Sequence, residues 1–222
     1  VTVQENFPRP ETGSERFSRL LGQGKEKWRA KREERRHGRL WANAEGFEDL
    51  CELTAQFCEG LLSFTPDHGG PREQETEEIA DELAHANRAG FLTTNSQPGE
   101  TAAPEEGYYE QRAWVEGFAQ EDVAERLERL VGRTRLVIQA RRMHRWRGQR
   151  VLNQDEVITR DAHHEYTGIG RLPSQHNVRS GISFGGICTR NAVSEVADSY
   201  SVLIYDPKWG ANRLLWDTLA RL

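Results

Sequence analysis

Three stretches of this 222-residue chain carry side chains that can do chemistry. The hydroxyls of Thr93, Thr94 and Ser96 stand at the end of the run Phe91-Leu92-Thr93-Thr94, just before the turn formers Asn95 to Gly99. Strand ends and loops are where binding groups concentrate. A second group, His163-His164-Glu165-Tyr166, collects ionisable side chains capable of proton transfer. Neighbouring histidines on a strand point to opposite faces, which argues against a shared metal. The third stretch, residues 141–150, interleaves five arginines with His144 and Trp146. Arginine and an aromatic ring can stack on bases, but no RNA-binding motif accompanies them, and a surface hairpin accounts for the same residues. The glycine-rich pieces around Gly168, Gly170, Gly181, Gly185 and Gly186 read as turns; they are too loose for a phosphate loop.

These residues need elements to position them. From Glu75, Ile79, Leu83 and Ala86 recur with helical spacing and form one apolar stripe. Gly90 falls where a helix ends in a left-handed residue. The β-branched and aromatic residues 91–94 then suit a short strand, followed by a polar loop over 95–99. Within this unit Thr76 can cap the helix, Glu75 can face its N-terminal dipole, and Thr93 and Ser96 can satisfy loop backbone groups. A ligand could use the same four side chains, so both readings stand at this point.

Phe47, Leu50, Cys51, Thr54, Phe57, Cys58 and Leu61 give a second amphipathic helix, preceded by Trp41. Trp41 can be a hydrophobic staple at the helix start or an aromatic wall for a ligand base. Residues 108–118 alternate as a single strand, 120–131 form a helix with Gly132 behind it, and 135–139 form another strand. Val157-Ile158-Thr159 reads as a strand, 191–199 as a helix and Tyr200–Tyr205 as a buried strand. Asp206 to Gly210 is a turn, and a last helix carries Leu214, Leu215, Leu219 and Leu222. This order predicts an α+β domain with mixed sheets.

Composition bounds the function. Charged residues make up 29% and the net charge is −5; mean hydropathy is −0.78. That balance argues against a wholesale nucleic-acid binder. No run approaches a membrane span and no signal-peptide pattern opens the chain, so the expected location is cytoplasmic. Three cysteines without a CxxC argue against a disulfide framework or a zinc site; Cys51 and Cys58 share a helical face and are expected in the core. Residues 1–16 read as a flexible arm and 17–39 as a solvated charged helix, leaving 40–222 as the domain.

The unit from Glu75 to Ser96 also resembles a known family. Glu75-Thr76, Asn87-Arg88, Gly90, Leu92-Thr93 and Asn95-Ser96-Gln97-Pro98 are similar to the C-terminal S-adenosylmethionine-binding regulatory domain of methylenetetrahydrofolate reductase. Gly107-Tyr108, Gln111 to Glu116 and Phe118 form a second similar block, and Tyr200 to Trp216 a third. The chain also resembles small actinobacterial proteins of unknown function with the same blocks. The resemblance implies sheets side by side with helices packed outside. It also implies that Glu75, Thr76, Thr93 and Ser96 contact S-adenosylmethionine or S-adenosylhomocysteine, with Trp41 near the adenine. A carboxylate would hold the ribose diol or the ammonium, and hydroxyls the ligand carboxylate.

In the reductase this domain inhibits a separate barrel, which nothing before residue 40 could form here. Two functions follow from the resemblance. The first is a free-standing methyltransferase acting on a small-molecule acceptor, for which side-chain chemistry alone offers His163, His164, Tyr108 and Glu110 as proton-transfer candidates. The second is a non-catalytic sensor regulating a partner enzyme. The arginine-rich segments leave an RNA-associated adaptor as a third function. No membrane partner is expected, and a homodimer is compatible with all three.

Overall fold

The computed structural model describes residues 28–29, 31–102, 108–143, 150–161, 163–180, 184, 186–211 and 213–222. The expected arm at 1–16, the residues Gly181 and Gly185, and positions 144–149 of the arginine-rich stretch lie outside them. The chain forms two compact units, Val1–Arg36 and His37–Leu222. In the first, residues 31–36 are helical, and the Arg32 guanidinium lies 5.6 Å from the Trp28 ring centre. None of the described helices is long and apolar enough to cross a membrane.

The second unit is α+β, as expected, with two four-stranded sheets. Its helices are α1 (37–42), α2 (Phe47–Cys58), α3 (Ala80–Arg88), α4 (Glu121–Val131), α5 (Gln175–Arg179), α6 (Arg190–Asp198) and α7 (Arg213–Leu219). The strands are β1 (Phe91–Gln97), β2 (Glu100–Ala102), β3 (Tyr109–Gln111), β4 (Trp114–Ala119), β5 (Val137–Arg142), β6 (Arg150–Asp161), β7 (Glu165–Leu172) and β8 (Tyr200–Tyr205). The first sheet has the order β1-β4-β8-β5 and the second β2-β3-β6-β7. Every pairing among them is antiparallel.

The first sheet is buried on both faces. Side chains alternate across a strand, so Phe91, Val115, Ala119, Val202 and Ile204 face one cluster with α3, α4 and α7. Leu92 and Phe118 face another with α2, α6 and Trp41. Each large apolar side chain buried there contributes roughly 1.5–3 kcal/mol. Most of the stripe residues read from sequence are buried: Leu50, Thr54, Phe57 and Cys58 on α2, Leu83 and Ala86 on α3, Val123, Leu127 and Val131 on α4. Leu61 is not, because α2 ends at Cys58 and leaves it exposed. Glu195 of α6 accepts from the Phe47 N–H at 2.6 Å and so caps α2 across the core. Cys51 and Cys58 are buried free thiols, pushed up to about 12 chiefly by burial, so both stay protonated.

Four expectations change. The single strand over 108–118 is two, β3 and β4, in different sheets; the chain passes from one sheet to the other at Arg112-Ala113. Arg112 fastens this seam, since its N–H donates to Ile158 O and its Nη1 to Val157 O, both at 2.8 Å. Its guanidinium also lies 4.2 Å from the Trp209 ring centre. Trp114, Ile158, Ile169, Leu203 and Tyr205, drawn from both sheets, form one buried cluster. Gly168 and Gly170 are inside β7 rather than in turns, because the long β6–β7 hairpin carries them through its ladder. Residues 95–97 continue strand β1 instead of forming a loop. The helix expected from Glu75 begins as a tight 3-10 segment, Gln74–Ile79, before becoming α3.

Candidate functional site

Helix α3 ends where the sequence says it should. Ala89 N–H bonds His85 O, Gly90 N–H bonds Asn87 O, and Gly90 takes φ +94°. The reversal sends the chain into β1, at the edge of the first sheet. Phe91, Leu92 and Thr93 pair with Ala119, Phe118 and Gly117, and pairing resumes at Asn95 with Glu116. Thr94 is the extra residue of a β-bulge, a device that bends an edge strand and re-aims its side chains. A Cβ at Gly117 would collide with the Leu92 carbonyl oxygen, so only glycine lets the two strands approach here.

The bulge opens a cavity of about 330 Å3, within the size range of small-molecule sites. Helix α2 contributes Thr54, Phe57 and Cys58 to its wall, and the loop after α2 contributes Thr65, His68 and Arg72. The 3-10 segment adds Glu75 and Thr76, while β1 adds Thr93 through Gln97. Of the five residues considered for cofactor binding, Glu75, Thr76, Thr93 and Ser96 line this cavity together.

Asn87 sets the polarity of the site. It is fully buried, and its Oδ1 accepts from Thr93 N–H at 3.0 Å. That bond fixes the amide, so Nδ2 donates to Leu83 O at 2.8 Å and to Thr93 Oγ1 at 2.7 Å. Because Thr93 Oγ1 is already an acceptor, its own proton is free to be donated. Glu75 is held differently. Trp114 Nε1 donates to Gln97 Oε1 at 3.3 Å, and Gln97 Nε2 donates to Glu75 Oε2 at 3.2 Å. Neither Thr76 nor Ser96 has a side-chain hydrogen bond among the described residues, and the 3-10 segment has no side-chain cap. The capping role for Thr76 is thus not realised. On the loop side, His68 Nε2 stands 3.6 Å from Glu73, and Arg72 donates to Cys58 O and faces Glu77 at 3.5 Å.

The remaining candidates lie elsewhere. Trp41 is 0% exposed, donates Nε1 to Phe64 O at 3.2 Å and belongs to the core with Phe47 and Leu50. Burial on all sides leaves no ring face for a ligand, which corrects the aromatic-wall reading and supports the staple. Tyr108, Glu110, His163 and His164 are all on the second sheet. Tyr108 donates to Glu110, and Arg160 Nε donates to the same carboxylate at 2.7 Å. Hydrogen bonds from Tyr108 and Arg160 hold Glu110 below the ordinary carboxylate range, while the bond to Glu110 raises the Tyr108 phenol. His163 and His164 sit in the turn between β6 and β7, where both their backbone N–H groups donate to Asp161 Oδ1 at 2.7 Å. None of these four residues lines the cavity at the bulge.

Sequence reading missed Asn87 as a functional residue, although the pattern held a signal. An asparagine on the buried side of an apolar stripe needs partners, and the first strand residues after the turn are the nearest ones.

Fold and site together define a small α+β domain with a polar-lined cavity at a bulged sheet edge. The chain belongs to the family described as Domain of unknown function (DUF6919), whose match covers residues 36–222. Part of it is also similar to methylenetetrahydrofolate reductases. It is 32% identical over 101 residues to methylenetetrahydrofolate reductase 1 of Schizosaccharomyces pombe, covering 41% of this chain and 17% of that protein. With methylenetetrahydrofolate reductase (NADH) 1 of Zea mays it is 33% identical over 95 residues, 38% of this chain and 16% of the maize protein. The chain therefore matches only about a sixth of the length of these relatives.

Proposed function

We propose that this protein binds S-adenosylmethionine or S-adenosylhomocysteine in the cavity at the β1 bulge and acts as a non-catalytic sensor for a partner enzyme. One observation carries the reading: Glu75, Thr76, Thr93 and Ser96 line a single cavity of about 330 Å3. In this pose the Glu75 carboxylate takes the ribose diol or the ammonium. The Thr93 hydroxyl, fixed as a donor by Asn87, takes the ligand carboxylate together with Ser96. Phe57 and Leu83 supply apolar wall. The binding module is residues 40–222, with 1–39 outside it, and its setting is cytoplasmic.

Binding is favoured over methyl transfer because transfer needs an in-line nucleophile and a positioned base. The residues suited to that work lie away from the cavity: Tyr108 and Glu110 are bonded to each other at β3, and His163 and His164 sit in the turn between β6 and β7.

Titration calorimetry with both ligands tests the reading. Saturable one-site heat from at least one of them is expected, with no product formed on incubation with cell-extract methyl acceptors. Absence of heat with both ligands would refute the binding role; turnover would replace the sensor with an enzyme.

A further inference from the structure

Strand β4 carries a carboxylate just behind the cavity. Trp114, Glu116 and Phe118 share one face of the strand. Trp114 lines the cavity and Phe118 belongs to the core. Glu116 is half-buried between them and stands opposite Asn95, the first paired residue after the bulge and itself a lining residue. Its other ladder neighbour, Leu203 of β8, is apolar. The rim loop brings Asp67, next to the lining residue His68. Burial pushes the Glu116 carboxyl up to about 7, against a hydrogen bond with the Asn95 side chain that lowers it and the Asp67 charge that raises it further. No guanidinium, ammonium or imidazole forms an ion pair with Glu116 among the described residues. A half-buried carboxylate without a cation is costly, and a cation delivered to the adjoining cavity would relieve that cost through a low-dielectric path.

We propose that Glu116 is a charge-specificity residue of this cavity, favouring a cationic ligand over an uncharged ligand of the same shape. The inference rests on the ligand class proposed above. There the two forms differ by one methyl group and one positive charge, a sulfonium in S-adenosylmethionine against a thioether in S-adenosylhomocysteine. Glu75 then anchors what the two ligands share, and Glu116 reads what separates them.

Calorimetry on the full chain, wild type against Glu116→Gln, tests this at a fixed pH near 8. The glutamine keeps the shape and the Asn95 contact and removes the charge. The sulfonium ligand should lose about tenfold in affinity, while the thioether ligand changes less than about twofold. Equal losses for both would reduce Glu116 to wall support and overturn the proposal, as would no change for either. A second measurement needs no variant. Near pH 7, where Glu116 is half-ionised, sulfonium binding should release more protons than thioether binding, read from binding heats in buffers of different ionisation enthalpy. His68, Arg72, Glu73 and Glu75 also line this cavity, with Asp67 acting on Glu116 from the rim, and Asp67→Asn should leave the difference in place. Equal proton release for the two ligands would overturn the proposal. Absence of binding by either ligand to the wild type would instead remove the ligand reading, and this inference with it.

Discussion

Both sheets are four-stranded and antiparallel, and each carries ionisable side chains near an edge. On the second sheet Tyr108 and Arg160 bond to Glu110, and Asp161 accepts from the backbone N–H groups of His163 and His164. On the first sheet, β1 bulges at Thr94, and its polar groups face a cavity with hydrogen-bonding capacity left over. The difference comes from the backbone. The regular β3–β6 ladder sets Glu110 directly opposite Arg160, whereas the bulge in β1 turns side chains away from the ladder. A cluster of ionisable residues is therefore a poorer sign of a site than a few hydroxyls beside an interruption in a strand.

Asn87 is where that contrast breaks most sharply. Asn87→Ala should cost roughly 2–4 kcal/mol in urea unfolding, because it leaves the buried Thr93 N–H unpaired and opens a small void. It should also abolish measurable ligand binding. A stable Asn87→Ala protein with normal affinity would show that the amide only fills space.

Thr93→Val combined with Ser96→Ala should leave the fold standing and weaken ligand binding, each lost bond to a charged ligand end being worth roughly 1.5–3 kcal/mol. Calorimetry decides it: unchanged affinity in the double variant would put the ligand elsewhere.

The pH dependence sharpens the comparison from the protein's own stability. Glu116, with its carboxyl raised to about 7 from the ordinary 4.5, holds a proton in the folded state that the unfolded chain has lost over that window. Folded stability should therefore fall as pH rises from about 5 to about 8. Glu116→Gln should flatten this slope, and urea midpoints at the two ends of the window measure it. An identical slope in the variant would mean that Glu116 ionises in the folded protein as it does in the unfolded chain.

The smallest effect is expected on the second sheet. Glu110→Gln removes the charge from a half-buried ion pair outside the cavity, and ligand affinity should stay close to wild type. A large loss of affinity would move the functional site to that sheet.

Much of the first sheet was legible in the sequence because its signals are local. The stripe on α3, the left-handed Gly90 and the buried run Tyr200–Tyr205 each follow from spacing within one element. The four residues Glu75, Thr76, Thr93 and Ser96 were reached through the resemblance, and their meeting in one cavity depends on the bulge. That bulge was not legible, since it arises from the register between β1 and β4, which no single strand encodes. For the same reason Arg112-Ala113 read as mid-strand: an alternating pattern does not say which sheet each half joins. Trp41 was ambiguous because a staple and a ligand wall need the same side chain, and only burial separates them.

The most direct test compares ligand-induced melting shifts in wild type, Glu75→Gln and the double variant His163→Ala/His164→Ala. Ligand that binds only the folded state raises the melting temperature by mass action. The expected result is a shift with S-adenosylmethionine in wild type, the same shift in the histidine variant and a much smaller one in Glu75→Gln, with all three melting alike when ligand is absent. An equal shift in wild type and Glu75→Gln, or a shift lost only in the histidine variant, would contradict a binding site at the β1 bulge.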